Sequence, residues 1–299
     1  MLQDPRKALR DLMASPGILM APGIYDGISA RVCEQTGFKL GYLSGAGVAT
    51  GYLGEPDIGL TNGSDIADVS RRIAVKARIP FITDADTGYG NALNVIRTVW
   101  DLEMAGSAGI QLEDQVAPKR CGHLNGKQCI PAETFAMKIK AAHDEKMFPE
   151  TVIVARTDAR AVYDLDEALR RGEMYLEAGA DVLFIEAPQT IEEIEKITRT
   201  FKGVPLITNQ VIGGKTPRLT AKEAEQIGYK IIIYPDVMPY CASVMFRRAC
   251  ERILETGQSW DAIPDATDSR DLFMTMGMKA WRDKDPLYQT GETTNGNLY

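Results

Sequence analysis

The chain alternates eight short apolar segments with longer segments of helical periodicity, and this alternation constrains its fold more than any other feature. Most of the short segments are continuously apolar, which is typical of parallel strands buried on both faces. The intervening segments, such as residues 166–178 and 191–200, place apolar residues on one helical face and charged residues on the other. The predicted strands are residues 18–21, 40–44, 81–84, 109–113, 152–156, 182–186, 205–209 and 230–234.

A glycine closes four of the helical segments just before the next strand begins. These glycines are Gly37, Gly106, Gly179 and Gly228. Glycine adopts the left-handed conformation that ends many helices without steric cost. Eight β/α units within 299 residues predict a TIM-type (β/α)8 barrel, with a doubly wound sheet as the alternative.

The chain contains no low-complexity linker, so residues 1–299 are expected to form a single barrel domain. Residues 240–299 are its predicted C-terminal extension, with helical patterns at 240–256 and 268–281 and a loose polar tail from Thr290. Helices that extend beyond a complete barrel often pack on another subunit. We therefore expect this region to contact a second copy of the chain.

Composition excludes several classes of protein. The net charge is −7 and basic residues form no stripe, which argues against a nucleic-acid partner. No apolar run approaches the roughly 18 residues that cross a bilayer, and the first residues lack the apolar core of a signal peptide. Five scattered cysteines, odd in number and without C-x-x-C spacing, fit a reducing compartment. We expect a cytoplasmic enzyme that binds neither nucleic acid nor membrane.

Acidic residues follow two neighbouring strands, at the end of a barrel where reactive groups collect. Asp84 ends the third predicted strand, Asp86 follows it, and Glu113 ends the fourth. Carboxylates without a nearby histidine suit Mg²⁺ or Mn²⁺, which prefer oxygen ligands and retain waters. The alternative is that the aspartates only form a turn before glycine.

Two further strand ends carry groups that bind anions. Arg156 ends the fifth strand in an apolar context and needs a carboxylate partner, either a substrate's or that of Glu186. After the second strand, Ser44 and the amides of Gly45 and Ala46 form a glycine-rich turn that can bind a carboxylate or a phosphate.

A reactive cysteine is predicted in the loop after the fourth strand, in the run Lys119-Arg120-Cys121-Gly122-His123. Positive charge favours thiolate, so the pKa of this cysteine is expected below its ordinary value of about 8.5. The glycine leaves the backbone free to move. Such a cysteine suits proton transfer or nucleophilic attack; an ordinary basic surface loop is the alternative.

Together these motifs resemble the isocitrate lyase/phosphoenolpyruvate mutase superfamily over residues 23–247. The strongest markers are residues 84–90, 113–115 and 119–123. The last is specific to the lyase branch, since mutases and phosphonopyruvate hydrolases of the superfamily lack the cysteine. Within that branch the chain is most similar to 2-methylisocitrate lyases and 2,3-dimethylmalate lyases.

The resemblance implies a role for each matching residue. Mg²⁺, or alternatively Mn²⁺, would be bound by Asp84, Asp86, Glu113 and Asp57. The substrate would be bound by Ser44, Gly45, Ala46, Arg156, Glu186, Asn209 and Gly122. Catalytic roles would fall to Cys121, Tyr42, His123, Lys119 and Arg120, with the cysteine on a mobile loop. The assembly would be a homotetramer, a dimer of dimers that exchange their last helices.

The implied reaction is a retro-aldol (Claisen-type) cleavage of a 2-hydroxy di- or tricarboxylate into a 2-oxo acid such as pyruvate and a carboxylate such as succinate or propionate. Cys121 would donate a proton to the carbanion, and the base would be Tyr42 or a metal-linked carboxylate. The alternatives on this scaffold are oxaloacetate hydrolysis to oxalate and acetate, decarboxylation, and phosphonate chemistry. A non-catalytic barrel that binds a carboxylate is the alternative from another class.

Two segments depart from the pattern of methylisocitrate lyases. Those enzymes usually carry a glutamate shortly after the asparagine of strand seven, which the run 210–217 lacks. The run 234–239 after strand eight also differs from the usual apolar type. Because both segments border the expected pocket, the identity of the substrate's variable arm stays open. The sequence of residues 213–217 favours the dimethylmalate group.

Overall fold

The structure, a computed structural model, describes residues 4–122, 126–263 and 268–288. Eight parallel strands close into a barrel in which each strand pairs with the next and the last pairs with the first. The strands are β1 Leu19–Ile24, β2 Gly41–Leu43, β3 Phe81–Asp84, β4 Gly109–Glu113, β5 Val152–Thr157, β6 Val182–Ile185, β7 Leu206–Asn209 and β8 Ile231–Tyr234. The predicted TIM-type barrel is therefore confirmed.

Helices precede, connect and follow the strands. They are α1 Pro5–Ala14, α2 Gly27–Thr36, α3 Gly45–Val48, α4 Gly63–Ala74, α5 Ala92–Met104, α6 Ala132–Glu145, α7 Ala159–Val162, α8 Leu165–Glu177, α9 Ile191–Thr200, α10 Ala221–Ile227, α11 Val237–Thr256, α12 Ser269–Thr275 and α13 Met278–Arg282. The four predicted helix-closing glycines all have positive φ, from 92° at Gly106 to 118° at Gly228. Their left-handed conformation confirms why glycine stands there.

The first strand runs three residues beyond its predicted end, to Ile24. Pro22 and Gly23 resemble a turn in the sequence, but the ladder continues through them to pair with β8 and β2. A side-chain carbon on Gly23 would lie only 2.1 Å from the carbonyl oxygen of Pro235. The glycine is therefore required because the chain after β8 crosses directly over this strand.

Apolar side chains fill the barrel in two layers. One layer lies inside the strands and includes Ile82, Val154, Phe184 and Ile231, together with Leu9 of α1. The other lies between the strands and the surrounding helices. Because α1 supplies a side chain to the inner layer, it closes one end of the barrel and leaves polar chemistry to the carboxyl ends of the strands.

The chain divides into two compact units, residues 1–242 and 243–299, so the expectation of a single domain stays a prediction. The second unit contains the helical region predicted at 268–281, which breaks into two helices at Gly277, where φ is 89°. Thr290 and the rest of the predicted tail lie outside the described residues. Among the described helices, none has the length and apolar character needed to cross a membrane.

Candidate active site

A cavity of about 70 Å³ lies at the carboxyl ends of the strands, beneath the loop that carries the predicted reactive cysteine. Residues from β2 through β8 and their following loops contribute to its wall. The wall is formed by Tyr42, Ser44, Ala46, Asp57, Asp84, Lys119, Cys121, Gly122, Arg156, Glu186, Asn209, Val211, Ile233, Pro235 and Asp236. Most of the residues predicted from the strand ends thus meet in one place.

The carboxylates of Asp84 and Asp86 converge beside Gly45. A side-chain carbon on this glycine would lie 3.0 Å from Asp84 Oδ2 and 3.4 Å from Asp86 Oδ1. Asp86 reaches this position through a left-handed backbone, with φ of 47°, while its carbonyl oxygen accepts a hydrogen bond from the amide of Glu113 at 2.9 Å. Strain of this kind persists only where neighbouring contacts hold it.

Lys119 bridges two of the predicted metal-binding acids. Its Nζ lies 2.5 Å from Asp57 Oδ1 and 2.9 Å from Asp86 Oδ1, and its side chain is buried. Burial raises the pKa of Asp86 to about 6 even though Lys119 opposes the shift, and Asp84 adds to it. The Lys119 ammonium thus lies among carboxylates at a position that would also suit a metal cation.

A hydrogen-bonded chain connects Tyr42, a predicted catalytic residue, to the acid cluster. Tyr42 donates to Gln111 Oε1 at 3.1 Å, and Gln111 Nε2 donates to Asp84 Oδ1 at 3.1 Å. Burial, with Asp84 nearby, raises the pKa of Tyr42 well above its ordinary value. The phenol therefore stays protonated, and its proton is committed to Gln111.

Arg156 is surrounded by three buried carboxylates. Its guanidinium lies 3.0 Å from Asp158 Oδ2, 3.3 Å from Glu186 Oε2 and 3.4 Å from Glu113 Oε2. Asn209 donates to Glu186 at 3.2 Å. Burial raises the pKa of Glu113 well above its ordinary range, although Arg156 opposes the shift. The arginine is held rigidly and remains the main positive charge deep in the cavity.

The loop after β4 is closed down on this arginine. A side-chain carbon on Gly122 would lie 2.4 Å from Arg156 Nη2 and 2.9 Å from the carboxyl carbon of Glu186. Lys127 Nζ donates to the carbonyl oxygen of Gly122 and to Asp158 Oδ1, the latter at 2.6 Å. The missing side chain of Gly122 therefore allows the neighbouring Cys121 to reach the cavity, and Lys127 holds the loop there.

Not every predicted residue reaches the cavity. Arg120 is exposed, and its backbone exchanges hydrogen bonds with the side chain of Gln115 at 3.0 and 2.9 Å. It lines a separate cavity of about 610 Å³, together with Ile58, Gln115 and Lys127. Gly45, Asp86 and Glu113 lie behind the wall rather than in it. His123 lies outside the described residues, and so the role predicted for it stays a prediction.

The negative charge of the acids in the site suits a divalent cation, but their side chains do not form a complete set of metal ligands. Within the described chain, no group of three or more histidine, cysteine, aspartate or glutamate side chains is arranged to hold a metal ion by itself. Mg²⁺, however, usually binds one or two carboxylates and keeps several waters. The buried acids Asp84, Asp86 and Glu113 need positive charge before an anionic substrate can join them. The predicted metal site stays a prediction.

Three polar residues of the site were missed from the sequence: Gln111, Lys127 and Asp158. Gln111 alternates with apolar neighbours on β4, on the same side as Glu113, which is a recognisable signal for an inward-facing polar residue. Asp158 follows Arg156 by two residues and could have been found in the same way. Lys127 carries no local signal, because its partner lies 31 residues away in the sequence.

Comparison with known proteins agrees with this geometry. The sequence model of the family described as phosphoenolpyruvate phosphomutase matches residues 9–254. The chain belongs to the PEP mutase/isocitrate lyase superfamily. It is 42% identical over 286 residues to the 2,3-dimethylmalate lyase of Eubacterium barkeri, covering 95% of this chain and 98% of the relative. It is 41% identical over 285 residues to the 2-methylisocitrate lyase of Aeropyrum pernix, covering 95% and 91%.

A solved structure has the same fold. Oxaloacetate acetylhydrolase in complex with the inhibitor 3,3-difluorooxalacetate matches with a TM-score of 0.91 and 33% identity, covering 95% of this chain and 96% of that one. The resemblance to the superfamily and the expected class, a carbon–carbon lyase, are confirmed by these matches.

Proposed function

We propose that the protein is a Mg²⁺-dependent lyase that cleaves a carbon–carbon bond in a 2-hydroxy di- or tricarboxylate of the 2,3-dimethylmalate or 2-methylisocitrate type. The products would be a 2-oxo acid such as pyruvate and a carboxylate such as propionate or succinate. The observation that carries the proposal is that Cys121, Arg156 and Asp84 line one cavity. A proton donor, a carboxylate-binding cation and a metal-binding oxygen then face one small substrate.

Bound Mg²⁺ would lower the pKa of the substrate's 2-hydroxyl and stabilise negative charge on its oxygen. Asp84 and Asp86 would hold the ion, with Asp57 and Glu113 around it. Because Tyr42 stays protonated and donates to Gln111, its oxygen accepts a hydrogen bond from the hydroxyl instead of removing the proton. A metal-linked carboxylate of the acid cluster would then be the base.

Cleavage leaves a carbanion next to the carboxylate of the second product. Arg156 and Asn209 would bind that carboxylate, and Ser44 with the Ala46 amide would bind the carboxylate of the 2-oxo acid. Cys121 would donate its thiol proton to the carbanion, which yields the saturated acid. The closed loop excludes water from this step, so the carbanion takes its proton from the cysteine.

The test is a product assay with purified protein and Mg²⁺. The candidate substrates are 2,3-dimethylmalate, 2-methylisocitrate, isocitrate and oxaloacetate. We expect pyruvate from one of the first two. Absence of turnover with all four, combined with calorimetric binding of one of them, would support a non-catalytic carboxylate-binding barrel instead.

Oxaloacetate hydrolysis is the second candidate. It is supported by the structural match to oxaloacetate acetylhydrolase, at a TM-score of 0.91, although a 2,3-dimethylmalate lyase structure matches with 0.93. In the same assay this activity would release oxalate and acetate from oxaloacetate, and no pyruvate from the branched acids.

We also propose that the protein assembles as a homotetramer whose subunits exchange C-terminal helices. Large apolar side chains are exposed on the second unit, and α11 buries none of its residues within the chain. Examples are Phe246 at 70%, Leu254 at 89% and Trp260 at 75% exposure. Light scattering after size exclusion should give four times the chain mass. A monomer at micromolar concentration would contradict this assembly.

A further inference from the structure

The part of the cavity wall formed after β7 and β8 has no role in the proposed chemistry. It consists of Val211 after β7, Ile233 within β8, and Pro235 and Asp236 after β8. The first three present apolar surface, and the fourth is acidic. Since the reaction groups come from the other strands, this wall is left to meet the part of the substrate that differs between candidate acids.

Asp236 is fixed in this wall by the preceding loop. Its Oδ2 accepts a hydrogen bond from the amide of Ile212 at 3.0 Å. Its Oδ1 is buried and receives no hydrogen bond from any described residue. Asp236 also precedes α11, yet its carboxylate bonds to the loop after β7. One oxygen therefore positions the side chain, and the other adds unneutralised negative charge to the wall.

No cation remains to offset that charge among the described residues of the wall. Among the described residues of the wall, the basic ones are Lys119 and Arg156. Lys119 is bound to Asp57 and Asp86, and Arg156, already in contact with three protein carboxylates, is assigned to the second carboxylate of the substrate. A further carboxylate on the substrate would enter a low-dielectric cavity next to Asp236 with no positive partner.

The candidate acids differ at one substituent. The 2-hydroxyl and 2-carboxylate belong with the metal-binding acids and the Ser44 turn, the second carboxylate belongs with Arg156, and the carbon to be protonated belongs with Cys121. The remaining substituent on that carbon is a methyl group in 2,3-dimethylmalate and a carboxymethyl group in 2-methylisocitrate. By elimination it faces the wall after β7 and β8.

We infer that Asp236, together with Val211 and Pro235, selects a dicarboxylate with an uncharged substituent at the protonated carbon and rejects a tricarboxylate. This inference rests on the proposed function and names the substrate class of that site. Val211 and Pro235 supply apolar contact for a methyl group, and Asp236 repels a carboxylate.

The experiment measures kcat/KM for 2,3-dimethylmalate and 2-methylisocitrate. Asp236 and the extra carboxylate of the tricarboxylate would lie a few ångströms apart and repel each other. We therefore expect kcat/KM of the wild type to be on the order of a hundredfold higher for the dicarboxylate. In Asp236→Asn this ratio should fall by about tenfold or more, because the repulsion is removed while a carbonyl oxygen can still accept from Ile212. Asp101→Asn removes the same charge from the exposed face of α5, where it is paired with Arg97, and should leave the ratio unchanged.

Binding separates this inference from the proposed function. The dissociation constants of both acids are measured by calorimetry with Mg²⁺ in a Cys121→Ala background. Tighter binding of the dicarboxylate supports the inference even if neither acid turns over. Equal binding, tighter binding of the tricarboxylate, or binding of neither acid overturns it. An unchanged ratio in both Asp236→Asn and Asp236→Ala overturns it too, since a purely structural effect weakens both acids alike.

Discussion

The two sides of the cavity differ in kind. On the side formed after β2 to β6, ionic groups are packed densely and each is held by several others, as Arg156 is by its three carboxylates. On the side formed after β7 and β8, apolar residues surround one acid, Asp236, which has a single hydrogen bond from Ile212. The first side can stabilise charge that develops during a reaction, whereas the second can only accept or exclude a substituent.

This difference explains why reaction and substrate are separable in such a barrel. A network of mutually dependent charges tolerates few substitutions, because removing one partner leaves another buried and unpaired. A wall made of single contacts can change one residue at a time. We therefore expect substitutions on the charged side of this cavity to affect the reaction, and substitutions on the other side to affect the choice of substrate.

Removing the metal should have the largest effect on the charged side. We expect a chelator to abolish turnover, because Asp84, Asp86 and Glu113 would otherwise repel an anionic substrate. Restoration by Mg²⁺ or Mn²⁺ is followed with the product assay. Full activity after exhaustive chelation would contradict the assigned role of these acids.

Cys121→Ser should lower kcat by on the order of 10³-fold, because an alcohol is a far weaker proton donor than a thiol. The dissociation constant of the substrate, measured by calorimetry, should change little. Cys241→Ser is the matched control, since Cys241 is an exposed cysteine outside the cavity wall. Near-normal turnover of the Cys121 variant would show that Cys121 is not the proton donor.

Gly122→Ala tests the contact between the loop and Arg156. The added carbon would lie 2.4 Å from Nη2, so the loop has to lift and KM should rise about tenfold or more. Gly27→Ala is the control, because a side-chain carbon on Gly27 meets nothing within 4 Å. Normal kinetics in the Gly122 variant would show that the loop does not need this close approach.

Lys127→Met removes the cation that holds the loop to Asp158. We expect an increase in KM of about tenfold, since a charge-assisted hydrogen bond is lost, and faster proteolytic cleavage within the loop. Lys140→Met, which removes an exposed lysine paired with Asp144, should change neither quantity. Cleavage at the wild-type rate in the Lys127 variant would mean that other contacts hold the loop.

The smallest effect concerns the dependence of stability on pH. Burial opposes ionisation of Asp158, but Arg156 and Lys127 outweigh burial and lower its pKa to about 2. A lowered folded-state pKa stabilises the fold above the unfolded value of about 3.9, by about 2 kcal/mol, and this is lost as pH falls toward 2. Denaturation of Asp158→Asn should therefore depend less on pH in this window than that of wild type. An identical pH dependence of denaturation in the two proteins would show that ionisation of Asp158 does not stabilise the barrel.

Much of this architecture is predictable because barrel strands have local signals. All eight strands and the helix-closing glycines follow from apolar runs and from the conformational freedom of glycine. The first strand extends further than predicted because the crossing of Pro235 over Gly23 is a tertiary contact. A local pattern contains no information about such a contact.

The site divides in the same way. Asp84 and Arg156 can be predicted because each is a charged residue at the end of an apolar strand. Cys121 can be predicted because basic residues precede it in the loop. Arg120 looks equivalent to Lys119 in the sequence, yet the loop turns one side chain inward and the other outward, and only the folded loop determines which. The bond from Lys127 to Asp158 and the buried oxygen of Asp236 likewise depend on packing between distant segments.

The volume of the cavity has a kinetic consequence. About 70 Å³ holds only a handful of water molecules, far less than a branched dicarboxylic acid needs. We therefore expect the loop that places Gly122 against Arg156 to move away from the barrel when a substrate enters. If that movement is slower than the bond cleavage, the turnover number will fall as solvent viscosity rises. Movement of this loop through the solvent, and not bond cleavage, would then limit the turnover number.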